Sequence, residues 1–395
     1  IAGPRAAAIA GLLVAVSPLM VWFSQEARAY ALGALLSSLT VLCVAGYERS
    51  RCARWLAGWA VAAALGLATH YFLVFVVAPE IVWLWRVAPR HRRLAAAVGV
   101  VVAVGCALLP LAISQQSTGH ADYIAHSSLH TVIAQIPKQL LIGYASPGQD
   151  VTAVLAGLLV LGGAVLPLSL VPAVRARAGW PLAVGVAAVL VPVVLALGGI
   201  DFLDTRNLLP ALPPLVIAAA IGFDGWSELA IASRRPSWRP AGVLAAIALA
   251  AISVLIVVLV DTNPRYQRDD WRGVAHALGP ATAKRVVFVD PGSGLIPLQP
   301  YMPGLRALTG AVAVRELDLV VMPSNVQGGG IGTPPQLLPG QPLPHGFAVA
   351  GTTYAKTYTV VRLTAPRPTP VSPTEAAAPW LRSGASGPLL QEPAR

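Results

Sequence analysis

The sequence predicts a mainly α-helical, polytopic transmembrane bundle followed by a small exterior α/β domain, and three observations predict it. The 395 residues are 56% hydrophobic and only 11% charged, with a mean hydropathy of +0.67, outside the usual composition of soluble domains. Apolar runs long enough, or nearly so, to cross a hydrocarbon core of about 30 Å recur along residues 1–260. The arginines between those runs collect in alternate loops, the signature of a membrane protein with a cytoplasmic side.

The runs lie near 6–23, 29–47, 54–68, 70–87, 94–113, 152–174, 180–200, 207–223 and 241–260, which makes about nine spans. The stretch 54–87 is read as a hairpin turning near Thr69, although this leaves its first limb short. With that hairpin, Arg49, Arg51 and Arg54, then Arg86, Arg90, Arg92 and Arg93, then Arg175 and Arg177, then Arg234, Arg235 and Arg239 fall on one side. The opposite loops hold only Arg28, Lys138 and Arg206. A single span over 54–87 would put the 86–93 cluster outside, against the positive-inside rule. The segment Ser24–Tyr30, the turn Ala68–Phe72, the loop 115–151, the segment Gly199–Asn207 and everything after Val260 are therefore expected outside, in a plasma-membrane protein.

Within the long loop, SLHTVIAQIPKQLLIGYA has a rough helical period with Lys138 on its polar side and Pro137 as an interruption; it reads as an interfacial helix. From Asp261 the pattern changes. YQRDDWRGVAHAL reads as a short amphipathic helix, and RVVFVD, ELDLVVMP and KTYTVVRL as strands between Pro and Gly turns. The division is thus 1–260 membrane core, 261–363 exterior α/β domain, and a Pro/Ala-rich tail, 364–395, expected to be disordered. There is no internal repeat.

The net charge of +11 is spread as short arginine clusters between apolar runs, which argues against nucleic acid. Of the three cysteines, Cys43 and Cys106 lie in apolar runs and Cys52 in an arginine-rich loop, so neither a disulfide framework nor a cysteine metal site is expected. His120, His126 and His130 lack the spacing of a helical zinc pair, and no metal site is assigned. Gly328–Gly332 has no Walker lysine. GxSxG and HExxH are absent. The chain opens with Ile and without a signal-peptide layout, so its natural beginning is expected to be missing.

Position makes the polar residues of the membrane part informative. Glu26, Arg28, Tyr30, His70, Tyr71, Asp201, Asp204 and Arg206 all fall at or just beyond exterior ends of spans, although far apart in sequence. A sugar carried on a polyprenyl phosphate keeps its tail in the bilayer and its phosphate at the headgroups. Binding it takes Arg, Lys or His at the rim, and moving the sugar takes a carboxylate to deprotonate an acceptor hydroxyl. Plainer roles stand beside these: an interfacial ion pair for Glu26 and Arg28, an aromatic-belt turn for His70 and Tyr71, and helix capping for Asp201, Asp204 and Arg206. Glu80, inside a span, reads as structural, paired with an arginine of the 86–93 cluster.

The blocks SPLMVWFSQEARAYALGALLSSLTVL, ATHYFLVFVVAPEIVWLW, DTRNLLPALPPLVIAAAIGF and YQRDDWRGVAHAL together resemble bacterial multi-pass glycosyltransferases of the GT-C type. Within these the chain is most similar to the dolichyl-phosphate-mannose protein mannosyltransferase-like and aminoarabinose-transferase-like branch. The resemblance covers most of residues 5–280. It implies an inverting transferase that moves a mannose-like hexose or pentose from a polyprenyl-phosphate donor to an envelope lipid, glycan or protein, by single displacement at the exterior face. The family's Arg-Tyr before LLPALP is Arg206-Asn207 here, which puts one contact in doubt. The family's acidic catalytic motif precedes the block that begins here near Gly3, so the base is expected upstream of Ile1 and the chain inactive alone. Arg28, Tyr30, His70, Tyr71 and Arg206 would then form the donor-phosphate side, with Glu26, Asp201 and Asp204 as supporting or substitute acids. A divalent cation bridging phosphate and carboxylate is chemically reasonable, and no motif specifies one. The rival classes are a transporter or lipid flippase, for which inverted repeats and midplane charges would be needed, and a non-catalytic assembly protein.

Overall fold

A computed structural model describes residues 3–88, 91–117, 128–267, 269–290, 294–323, 343–373 and 387–393. His120, His126 and Gly328–Gly332 lie outside these. The chain divides into two compact units, Ile1–Val258 and Leu259–Arg395, described separately.

The first unit is helical. It opens with α1 (Pro4–Val16) and α2 (Pro18–Ser24), set at 54°. Pro18 has no N–H to continue α1, and the Ser17 hydroxyl accepts from Met20 N at 3.4 Å to start α2. There follow α3 (Tyr30–Ser50), α4 (Ala53–Thr69), α5 (Val74–Val87), α6 (His91–Ser117), α7 (Leu129–Ile142), α8 (Gln149–Val160), α9 (Leu166–Leu170), α10 (Pro172–Leu197), α11 (Leu212–Asp224), α12 (Trp226–Ala232) and α13 (Ala241–Thr262).

All nine apolar runs are largely helical, yet among the described residues six stretches are long and apolar enough to cross a membrane, or seven if the bent α1–α2 pair is one span. The nine-span expectation is not confirmed because α4 and α5 have only 17 and 14 residues, about 25 and 21 Å at 1.5 Å per residue. The hairpin between them does form. Gly66 makes it possible: a Cβ there would lie 2.0 Å from Leu73 Cδ2, so only glycine lets the fully buried Leu73 fold back against α4.

Leucines and valines on α8, α10 and α13 remain exposed, such as Leu158, Leu190 and Leu255. This is the expected lipid-facing surface of helices whose backbone bonds are satisfied internally. Between α8 and α9 the helix widens to a π-turn over Leu161–Val165, and Trp226 Nε1 donates to Gly163 O at 2.8 Å. Glu80 is fully buried in the core shared by α3, α4 and α5. Its partners are Thr40 Oγ1 at 3.0 Å and Trp59 Nε1 at 2.9 Å, and among the described residues no arginine of the 86–93 cluster pairs with it. Two neutral donors inside the bundle satisfy the carboxyl where an arginine would have to leave the interface. Pro137 does not interrupt α7, which continues through it; burial of Ile136 beside Ala196, Leu203 and Leu208 holds the helix in place.

The second unit places α14 (Trp271–Leu278) and a short helix, α15 (Leu295–Leu298), with a six-stranded sheet. The strands are β1 (Arg285–Asp290), β2 (Arg306–Ala307), β3 (Val312–Val321), β4 (Ala348–Tyr354), β5 (Thr359–Val371) and β6 (Gly387–Gln391), in the order β2-β6-β1-β3-β5-β4. β1 and β3 are parallel, with Phe288 opposite Leu319; the other pairings are antiparallel. The tail read from composition as disordered from Thr364 instead supplies the second half of β5 and all of β6. Pairing with β3 and β1 offers its backbone groups partners, and this outweighs the poor strand propensity of PRPTP. At the start of β1, Arg285 is buried and bonds Asp318 and Glu316 on β3 and Gln391 on β6, and Arg362 joins it on Asp318.

Candidate functional site

The loops of the first unit sort into two sets by their contacts. One set links Arg5 to Asp224 and Arg177 to Glu228, with Trp226 against Trp238; these are loops expected inside. The other set joins the segments around residues 23–30, 70–72, 144 and 201–207, all expected outside.

That second set forms one cluster. Where α2 ends, the Phe23 ring packs edge-on against Tyr30 at 5.0 Å and Tyr144 at 5.7 Å. Tyr30, the first residue of α3, lies 5.4 Å from the His70 ring. His70 ends α4 in an extended conformation, and its Nδ1 accepts from Phe72 N at 3.3 Å, starting the 3-10 turn Tyr71–Leu73. With Nδ1 accepting, a neutral imidazole carries its proton on Nε2. Gly33 on α3 faces both the hairpin and the 3-10 segment, where a Cβ would lie in ordinary van der Waals contact, 3.7 Å from His70 Cβ and 4.0 Å from Pro210 Cγ. Ser37 Oγ then donates to Pro210 O at 2.6 Å.

The 3-10 segment Thr205–Ala211 brings Asp204 and Arg206 in. Asp204 Oδ1 accepts from Tyr144 Oη at 2.7 Å and from Arg206 N at 3.1 Å, while Arg206 N also donates to Tyr144 Oη at 2.9 Å. Asp204 Oδ2 lies 3.2 Å from Arg206 Nε. Burial, then the Asp204 charge and hydrogen bond, push the Tyr144 phenol well above its ordinary range, so it stays a hydroxyl at any physiological pH. Burial first, then the Arg206 cation, hold the His70 imidazole below its ordinary range, with a hydrogen bond to Asn207 acting the other way. His70 is therefore a neutral group beside a fixed cation.

Of the residues singled out in sequence, Tyr30, His70, Asp204 and Arg206 are brought together. Glu26 and Arg28 sit on the segment that delivers Phe23 and Tyr30, 3.9 Å from each other, with Arg28 mostly exposed at 61%. Asp201 turns to its own segment, its Oδ1 accepting from Leu203 N at 3.0 Å. Tyr71 points to α6, bonding Gln115 at 3.1 Å. Asn207, the departure from the family pattern, donates to Phe202 O at 2.9 Å and reaches His70. Phe23 and Tyr144 were not foreseen. Tyr144 carried a usable signal, a tyrosine directly after the glycine that ends α7, where Gly143 has φ +76° and abuts Pro18.

Among the described residues no group of three or more His, Cys, Asp or Glu side chains is placed to hold a metal ion. The carboxylates of the cluster face arginine and tyrosine.

The several long apolar helices are those of a multi-pass membrane protein, and the charged, aromatic-lined cluster is its candidate site. Residues 1–94, about a quarter of the chain, are similar to the family model of the protein O-mannosyl-transferase TMEM260 N-terminal domain. The match takes in Glu26, Arg28, Tyr30, His70 and Tyr71, and not Asp204 or Arg206. No curated protein and no solved structure matches the chain.

Proposed function

We propose that the protein is a membrane glycosyltransferase of the GT-C type that takes a mannose-like sugar from a polyprenyl-phosphate donor at the exterior face of the plasma membrane and passes it to an acceptor hydroxyl. The observation that carries this is the convergence of Arg206, Asp204 and Tyr144, from outside the matched region, on Tyr30 and His70 inside it. A mannosyltransferase-like segment and a remote cation thus share one rim.

In this reading the donor phosphate is held by Arg206 and Arg28, the guanidinium fork suiting phosphate oxygens. His70, neutral with its proton on Nε2, donates rather than accepts. Tyr144 and Asp204 are positioning residues that fix the Arg206 backbone and side chain. The acceptor oxygen attacks the sugar C1, the C1–O bond to phosphate breaks, and the polyprenyl phosphate leaves with the electron pair. The acceptor's proton passes to a carboxylate. Glu26, Asp201 and Asp204 are the carboxylates of this chain considered for that task, and each also has a local partner: Arg28 for Glu26, Leu203 N for Asp201, and Tyr144 and Arg206 for Asp204.

The test uses the full chain in lipid nanodiscs with polyprenyl-phosphate-mannose. R206A is expected to weaken donor binding at least about tenfold, the loss of a charge-assisted contact, and R28A to weaken it less because Arg28 is solvated. Unchanged donor affinity in both variants overturns the assignment. E26Q with intact donor binding and no transfer assigns the base to Glu26; transfer by E26Q at the wild-type rate assigns it elsewhere.

A further inference from the structure

The second unit contains a cleft that the donor site does not use. It has a volume of about 380 Å³ and lies where the N-terminal end of α14 faces α15 and the segment after it. Asp269, Asp270, Trp271 and Arg272 line one side, and Pro297, Pro300 and Tyr301 the other. The volume falls in the range of sites for small ligands, about 300–1,000 Å³.

Each wall has a fixed frame. Asp270 caps α14, its Oδ1 accepting from Gly273 N at 2.8 Å, which sets the direction of the residues beside it. The far edge of the Trp271 indole is wedged near Gly294, where a Cβ would come within 3.1 Å of it, and the ring packs on the core formed by α14, β1 and β5. Opposite, Tyr301 is half exposed on a chain stiffened by two prolines. Among the described residues no hydrogen bond or ion pair engages the side chains of Asp269, Arg272 or Tyr301. The cleft therefore presents aromatic surface together with a carboxylate acceptor, a guanidinium donor and a phenol that are not spent on the fold.

We infer that this cleft binds a saccharide. A sugar ring has an apolar face of C–H groups, suited to an aromatic surface, and a rim of hydroxyls that both donate and accept. Asp269 accepts, Arg272 donates, and Tyr301 does both. A quaternary ammonium group would also favour aromatics and the carboxylates, but it offers no acceptor to the Arg272 guanidinium and no hydrogen bond to the Tyr301 hydroxyl. A purely apolar ligand would strand all three polar groups. Joined to the function proposed above, on which this last step rests, the cleft engages the carbohydrate of a glycosylated acceptor.

The test is saccharide binding by the full chain in detergent with no donor present, read by saturation-transfer NMR and calorimetry, with a mannose disaccharide as probe and a Ser/Thr-rich peptide as comparison. The wild type is expected to bind the disaccharide weakly, and Y301A and D269N to lose about tenfold or more in affinity while thermal melting and donor binding stay as in the wild type. Trp271 is left intact because it packs on the core. Disaccharide binding that both variants retain, or no saccharide binding by the wild type, overturns the inference. Peptide binding lost in Y301A, with no disaccharide binding, also overturns it. Because the readout needs neither donor nor transfer, failure of the transferase reading leaves the binding result standing, and failure of saccharide binding leaves the donor site untouched.

Discussion

Tyr144→Phe isolates what holds Arg206 in place. The substitution keeps the ring and its edge contact with Phe23 and removes one oxygen. That oxygen donates to Asp204 Oδ1 at 2.7 Å and accepts from Arg206 N at 2.9 Å. A hydrogen bond to a charged group contributes about 1.5–3 kcal/mol and a neutral one about 0.5–1.5 kcal/mol. Arg206 N retains its second acceptor, Asp204 Oδ1 at 3.1 Å, so the second loss is largely offset. The net loss is about 2 kcal/mol, at most about 30-fold in an equilibrium constant at 1.36 kcal/mol per tenfold. It divides between global stability and the placement of Arg206. The assay is paired: thermal melting of the protein in nanodiscs, and donor affinity by equilibrium binding. The variant should fold, melt a few degrees lower, and bind polyprenyl-phosphate-mannose roughly 3- to 30-fold more weakly, within that bound. If both melting and affinity equal the wild type, the Tyr144 hydroxyl does not hold Asp204 and Arg206, and the positioning argument fails.

Three further outcomes follow from the packing. His70 is held neutral in the folded state below its ordinary value of 6.5, so its contribution is present above about pH 6.5 and is lost as pH falls and the unfolded chain takes up the proton first; melts from pH 8 to pH 5 should show this slope in the wild type and a flatter one in His70→Asn, and equal slopes would contradict it. Gly66→Ala puts a Cβ 2.0 Å from Leu73 Cδ2 and should destabilise the α4–α5 hairpin by about 1–3 kcal/mol, with partial recovery in the Gly66→Ala/Leu73→Ala double variant; a Gly66→Ala protein as stable as the wild type would mean the hairpin has room to shift. Arg285→Leu leaves the fully buried Asp318 with Arg362 alone and should cost about 3–5 kcal/mol, seen as early proteolysis or melting of the second unit; adding Asp318→Leu should recover part of that loss.

The membrane architecture was legible because hydrophobic runs and arginine placement are one-dimensional signals. Even the hairpin near Thr69 followed from where the 86–93 arginines had to lie. The number of full spans did not follow, since a 14-residue α5 and a 17-residue α4 are apolar in the same way as longer helices. The strand Arg285–Asp290 and the Glu316–Val321 part of β3 were visible as apolar, valine-containing runs, whereas the start of β3 at Val312 and Gly387–Gln391 were not. The strand character of Gly387–Gln391 comes from its partners, β1 and β2, 80 or more residues away in sequence. The same contrast holds at the rim. Tyr30, His70, Asp204 and Arg206 could be picked out because charge and imidazole are conspicuous between oily helices. Tyr144 and Phe23 are ordinary interfacial aromatics in sequence, and only the packing of α2 and α7 shows that they join the two halves of the cluster. Glu80 illustrates the reverse case: a buried acid was expected to need an arginine, and the fold satisfies it with Trp59 and Thr40.

The central claim is that a polyprenyl phosphate docks at the rim built by residues 23–30, 70–72, 144 and 201–207. Photo-crosslinking tests it most directly: the full chain in nanodiscs is labelled with a polyprenyl-phosphate sugar that carries a photoreactive group beside the phosphate, and the modified peptides are mapped by mass spectrometry. The account predicts labels on the 24–30, 70–73 and 201–207 segments, displaced by unlabelled polyprenyl phosphate and not by polyprenol. Labels confined to other segments, or equal displacement by polyprenol, would contradict it.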